Sequence, residues 1–193
     1  VEIEDGLIRI GESAFEGCRN LDEIHIPDGV AEIGNNAFKS CKSLTSISIP
    51  EGPKAIKQNT FYDCQNLTSV KIPSSVTLIG GNAFYGCDSL IEFSIPEAVT
   101  SIKDSAFSNC DNLSFVRIPE SVTSIGSEVF DGCKKLKTIE VAPSNQHYKQ
   151  IDGVLFSDKM DLLFAPQLLS GNYNIPEGTT SIHDNAFSGC TKL

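Results

Sequence analysis

One template of 23 residues is written along this chain six times without a change of length. Ile10, Ile33, Ile56, Ile79, Ile102 and Ile125 open successive copies, and a seventh, Ile182, follows 57 residues later. Phe15, Phe38, Phe61, Phe84, Phe107, Phe130 and Phe187 keep the same register, as do the leucines from Leu21 to Leu193. A fixed period of this length restricts the chain to stacked units, because one such unit cannot bury its apolar face alone and must lay it on its neighbours. The expectation is a single solenoid domain over residues 1–193, since no Gly/Ser-rich or Pro-rich linker separates the copies. The chain opens on the second half of a copy, "VEIEDGLIR", and closes on the first half of another, "IHDNAFSGCTKL". It therefore reads as a fragment of a longer array, with any export signal outside it.

Within a copy the apolar period changes, which places the elements. In "LDEIHIP", Ile24 and Ile26 point one way, Glu23 and His25 the other, and Pro27 has no N–H with which to continue a ladder. Eight such strand positions run from Val1–Ile3 to Tyr173–Ile175, and at ~4.8 Å per strand they predict a parallel sheet roughly 35 to 40 Å long. A turn pair follows, and Val30 and Ile33 then return to the core. "SAFEGC" predicts one short helical turn, stopped at Gly17. Its N-cap column reads Ser13, Asn36, Asn59, Asn82, Ser105, Glu128 and Asn185, in which only Glu128 departs from good capping chemistry. The fold class expected is α/β, a solenoid with a concave parallel β-sheet and short helical turns opposite.

The long spacing before Ile182 holds an in-register insertion over residues 142–174. Its apolar runs "GVLF" and "LLFAP" flank "SDKMD", which reads as a β-hairpin replacing one helical turn. The hairpin covers the same core, or it presents a recognition loop around His147 and Tyr148.

The frame L-x-x-I-x-I-P-x-x-V-x-x-I-G-x-x-A-F-x-x-C resembles the BspA-like leucine-rich repeats, also called the Treponema pallidum type, over nearly the whole chain. The resemblance implies a right-handed leucine-rich-repeat superhelix from a bacterial surface or secreted protein. It also implies adhesion to host extracellular matrix proteins and to other cells, and it carries no catalytic residues.

Chemistry narrows the functions further. Fifteen basic against 25 acidic residues give a formal charge of -10, which argues against nucleic-acid and anionic-membrane partners. No apolar run approaches the roughly 20 residues of a membrane-spanning helix. His25, His147 and His183 fall in different columns, no C-x-x-C is present, and the acidic residues are spread one per turn, so neither a metal nor another cofactor is expected. No G-x-S-x-G, G-x-G-x-x-G or phosphate-loop motif appears, so no enzyme is expected. Cys18, Cys41, Cys64, Cys87, Cys110, Cys133 and Cys190 share one column with apolar neighbours. Parallel Cβ vectors along a stack suit free buried thiols better than disulfides, though export would favour bridges.

Outward strand positions are mostly small and polar. Phe115 breaks that pattern beside Arg117, with Ile91 one copy earlier, and marks a contact surface flanked by Lys71, Glu92 and Glu140, with His25 outward on the same face. A protein-binding adhesion module is the leading reading, ahead of a spacer and of an accessory carbohydrate-binding module of an enzyme.

Overall fold

Short alternating runs punctuated by proline and turn residues give strands of two to four residues, most of them paired in parallel with the counterpart in a neighbouring copy. In the computed structural model, which describes residues 1–193, they run in chain order: β1 Arg9–Ile10, β2 Glu32–Ile33, β3 Ser46–Ser48, β4 Ala55–Ile56, β5 Ser69–Lys71, β6 Leu78–Ile79, β7 Glu92–Ser94, β8 Ser101–Ile102, β9 Phe115–Ile118, β10 Ser124–Ile125, β11 Thr138–Val141, β12 Tyr148–Ile151, β13 Val154–Ser157, β14 Asp161–Phe164 and β15 Ser181–Ile182. Repeats about 23 residues apart build a parallel β-solenoid of about eight turns. On one side Ile56, Ile79, Ile102 and Ile125 stand in register. On the other, Ile47 pairs with Val70, and Phe93 with Val116 and then Ile139.

The sheet expected from eight strand positions is shorter than that. Only β3, β5, β7, β9 and β11 form on that face, while Ile24–Ile26 and Tyr173–Ile175 lie outside regular pairing. A second ladder, the two-residue strands β1, β2, β4, β6, β8 and β10, was not legible as strand because each copy contributes to it a single inward isoleucine, half-buried at Ile125 and buried in the others. Both ladders are interrupted once. β2 does not pair with β4; there Pro53, without an N–H, stands in the column of Val30, Val76 and Val99. The backbones stay in contact at this break, since a Cβ on Gly52 would run into the Val30 carbonyl. β5 and β7 are also unpaired.

The predicted helical turns do not form. Ser13, Asn36, Asn59, Asn82, Ser105, Glu128 and Asn185 all take left-handed φ values of 53 to 59°, whereas an N-cap needs extended backbone. Alternate N–H groups here donate to the following turn of the solenoid, Ser13 to Asn35 (2.9 Å), Phe15 to Ala37 (2.8 Å) and Gly17 to Lys39 (2.7 Å), and so have no intrahelical bond to make. Between them, Glu16 donates to Ser13 and Cys18 to Phe15, closing reverse turns. Asn and Ser were chosen for tolerance of the left-handed region rather than for capping.

Stacking the turns aligns the columns into one core of 40 buried residues. Phe15, Phe38, Phe61, Phe84, Phe107 and Phe130 lie ring on ring at 5.3 to 5.9 Å. Phe164 closes the stack, tilted against Phe130. The insertion is an antiparallel meander of three strands, β12, β13 and β14, rather than a single hairpin. Asp152 and Gly153 turn the first corner at φ 48 and 88°, the two positive values a type I′ hairpin turn requires. β14 then pairs in parallel with β15, returning the chain to the solenoid. Val154, Phe156, Leu162, Ala165 and Ala186 form a second small core beneath it.

Candidate partner-binding surface

Alternation within β7, β9 and β11 decides what this face presents: Phe93, Val116 and Ile139 go inward, and their neighbours go outward. The register sets Phe115 between Glu92 and Thr138, and Arg117 between Ser94 and Glu140. The Arg117 guanidinium donates to Glu97 at 2.6 Å and lies 3.5 Å from Glu140. The hydrogen bond it donates to the Glu97 carboxylate raises the Arg117 pKa further, so its charge is fixed at every working pH. Phe115 is half-buried rather than fully outward, and Ile91 is 56% exposed. Phe115, Arg117, Glu92 and Glu140 therefore form one cluster over three paired strands. Glu97 completes it; the sequence shows Glu97 only as a turn carboxylate, because contact depends on how far Arg117 reaches back toward the preceding turn.

The other expected contact residues lie apart. Lys71 is exposed on β5, across the unpaired junction from β7. His25 is exposed on a segment without regular strand pairing, four copies away from Arg117 in its column. In the insertion His147 is exposed, but the Tyr148 hydroxyl turns back and accepts a hydrogen bond from the Ile125 N–H at 2.8 Å. Asn145 seats this segment: its side chain donates to Pro119 O (2.8 Å) and Val122 O (3.0 Å) and accepts from the N–H groups of His147 and Tyr148. Nothing in the sequence singles out Asn145, since its partners are main-chain groups of earlier turns.

The cysteine column forms a hydrogen-bonded ladder. Cys41, Cys64, Cys87, Cys110 and Cys133 are buried, and each thiol donates to a phenylalanine carbonyl of the preceding turn, from Phe15 to Phe107, at 3.1 to 3.2 Å. Cys18, at the end of the stack, is exposed, and Cys190 is half-buried. Burial raises the Cys41 thiol to about 11 and Cys133 to about 12, and pushes Cys87 and Cys110 well above the ordinary thiol range.

No group of three His, Cys, Asp or Glu is placed to hold a metal ion. No helix is long and apolar enough to cross a membrane. The half-buried Tyr62 and Tyr85 stack ring on ring at 4.8 Å, with the Lys39 amine over Tyr62. One face of each ring is thus taken by the other.

A family model for the BspA-type leucine rich repeat region matches in six copies, over residues 1–114 and 163–193. No curated protein is significantly similar to the chain. Among solved structures, a leucine-rich repeat protein from Bacteroides ovatus is 35% identical, with a TM-score of 0.75 over 95% of this chain and 45% of its own. A leucine rich cell surface protein from Faecalibacterium prausnitzii is 30% identical, with a TM-score of 0.75 over 96% of this chain and 57% of its own. The pneumococcal vaccine antigen PcpA is 25% identical, with a TM-score of 0.75 over 94% and 48% respectively. The chain spans about half the length of these relatives.

Proposed function

The chain belongs to the BspA-type leucine-rich repeat family, and from that premise we propose that it is a non-enzymatic protein-binding module of a bacterial surface or secreted protein, adhering to host extracellular matrix or to other cells. The observation that carries this reading is the Phe115–Arg117 cluster. An aromatic ring beside a guanidinium oriented by Glu97 and Glu140, on three strands in fixed register, is the type of group that dominates binding energy at protein interfaces. Strands hold these side chains in one arrangement before a partner arrives, which lowers the entropy cost of binding. The likeness to a cell surface protein and to a vaccine antigen supports an extracellular or surface location.

The test is capture of matrix and salivary proteins on the immobilised chain, followed by titration of any captured protein. Phe115→Ala combined with Arg117→Ala should weaken the complex at least tenfold, about 1.4 kcal/mol, with the melting temperature nearly unchanged. Unaltered affinity would move the contact off this face, and capture of nothing would overturn the adhesion reading. The spacer reading has its own support in the small polar residues Ser46, Ser48, Ser69 and Ser94 that cover much of the sheet.

A further inference from the structure

Along one rim of the solenoid, a single N–H per turn donates to the turn before it: Thr45 to Asp22 (3.1 Å), Thr68 to Thr45 (2.9 Å), Ser114 to Ile91 (2.9 Å) and Lys137 to Ser114 (3.1 Å). The Ile91 N–H makes no such bond to Thr68, and β5 and β7 beside it are unpaired. The far side of the same two turns is closed, with β6 paired to β8 and the Thr100 N–H donating to Thr77 O at 2.9 Å. The junction is therefore a wedge that opens on the β5–β7 face and is closed on the β6–β8 face.

Two residues write this opening into the sequence. Phe93 is the one aromatic of its column on the paired strands β3, β5, β7, β9 and β11, where Ile47, Val70, Val116 and Ile139 stand. Its ring packs on Phe84 of its own turn (4.9 Å) and on Phe107 of the following turn (4.7 Å), which draws β7 toward β9 and away from β5. Ile91 stands where Thr45, Thr68 and Ser114 each add a hydroxyl hydrogen bond to the preceding turn. As a result Val70 is half-buried where Ile47, Phe93, Val116 and Ile139 on the neighbouring strands are buried, and Ile72 is half-exposed below it. A crevice of about 680 Å³ lies between Val70 and Ile72 on one lip and Pro96 and Ala98 on the other. The break at Pro53 has no such space, because the backbones there touch.

We propose that this crevice takes an extended segment of a partner protein, laid between β5 and β7 as an added strand. Main-chain groups presented in strand format recognise main chain, and apolar walls select apolar side chains at alternate positions of the segment. A helix has already satisfied its own backbone and gains nothing from these groups. Lys71 is exposed at the rim and forms no ion pair, whereas Glu97 opposite is engaged by Arg117. The segment therefore carries an acidic side chain facing Lys71. The class of occupant rests on the protein-binding reading above, but the crevice does not include Phe115 and meets Arg117 only through Glu97.

The probe is a labelled synthetic peptide, KLKTIEVAPS, which copies Lys135–Ser144, has the required alternation and carries Glu140 in the column of Lys71. In the free protein the Ile91 amide should exchange with solvent at least tenfold faster than those of Ser114 and Lys137. Peptide should slow Ile91 at least tenfold, while a scrambled peptide should not. Phe93→Ile, which restores an aliphatic column, should lower peptide affinity at least tenfold. Ile91→Thr, which restores the hydroxyl and leaves the aromatic stack intact, should act in the same direction. The Phe115→Ala protein, which leaves the Arg117–Glu97 pair in place, should bind the peptide as the parent does, so failure of that surface and failure of the crevice are separately visible. An Ile91 amide already protected in the free protein, equal binding by parent and both closing variants, or no protection at millimolar peptide would each overturn the proposal.

Discussion

A thiol is a weak donor, yet five buried cysteines in this chain each give their proton to a phenylalanine carbonyl of the preceding turn. Alanine in that column would leave those carbonyls with one partner fewer, and serine would have to bury a more polar group. Cysteine fits because it behaves as a small hydrophobe that still donates. The phenylalanine column shows the same economy, with rings stacked at the spacing set by the turns. Phe107 is fully buried, between Phe84 at 5.3 Å and Phe130 at 5.9 Å, with the Phe93 ring edge-on. Phe107→Ala should cost about 3 to 5 kcal/mol in urea unfolding. A loss under about 1 kcal/mol would contradict the packing that the stack depends on.

At the scale of elements, legibility in the sequence followed from how many roles a residue type can play. Alternating apolar and polar residues before a proline read as strand, and β3, β5, β7, β9 and β11 formed there, whereas the same pattern at Ile24–Ile26 did not. Asn and Ser before Ala-Phe have two roles, a helix cap or a left-handed turn, and the cap was the wrong choice because the neighbouring turns compete for the N–H groups. The cluster at Phe115 and Arg117 was visible as a departure from small polar residues, whereas the wedge at Phe93 was missed, since an apolar residue in an apolar column looks unremarkable until its volume is compared with its column mates. The Asn145 latch was out of reach, being made with main-chain carbonyls of earlier turns. Asn145→Ala removes those bonds and leaves the His147 and Tyr148 N–H groups without their acceptor. It should cost about 2 to 4 kcal/mol. Amide exchange should accelerate at His147 and Tyr148 and stay unchanged at Phe38 and Phe61. Uniform acceleration along the chain, or none, would show that Asn145 does not hold the insertion.

Across the whole molecule, stacking makes one residue type add up to a global property. Burial lifts the thiols of Cys41, Cys64, Cys87, Cys110 and Cys133 above the ordinary value of 9.0. A group whose folded pKa is raised contributes stability that is complete below its unfolded pKa and is lost as pH climbs through the folded one. Between pH 9 and the folded values, about 11 for Cys41 and about 12 for Cys133, the unfolded chain releases protons that the folded chain keeps. Each such thiol removes about 1.4 kcal/mol per pH unit. Five acting together approach roughly 7 kcal/mol per unit, enough to exhaust the stability of most domains within one to two units. The urea midpoint should therefore hold steady from pH 7 to about 8.5 and fall steeply above pH 9. Replacing Cys64, Cys87 and Cys110 together by alanine should lower stability at pH 7 and flatten that fall by more than half. An equally steep decline in the triple variant would assign alkaline unfolding to other groups and remove the cysteine column as its cause.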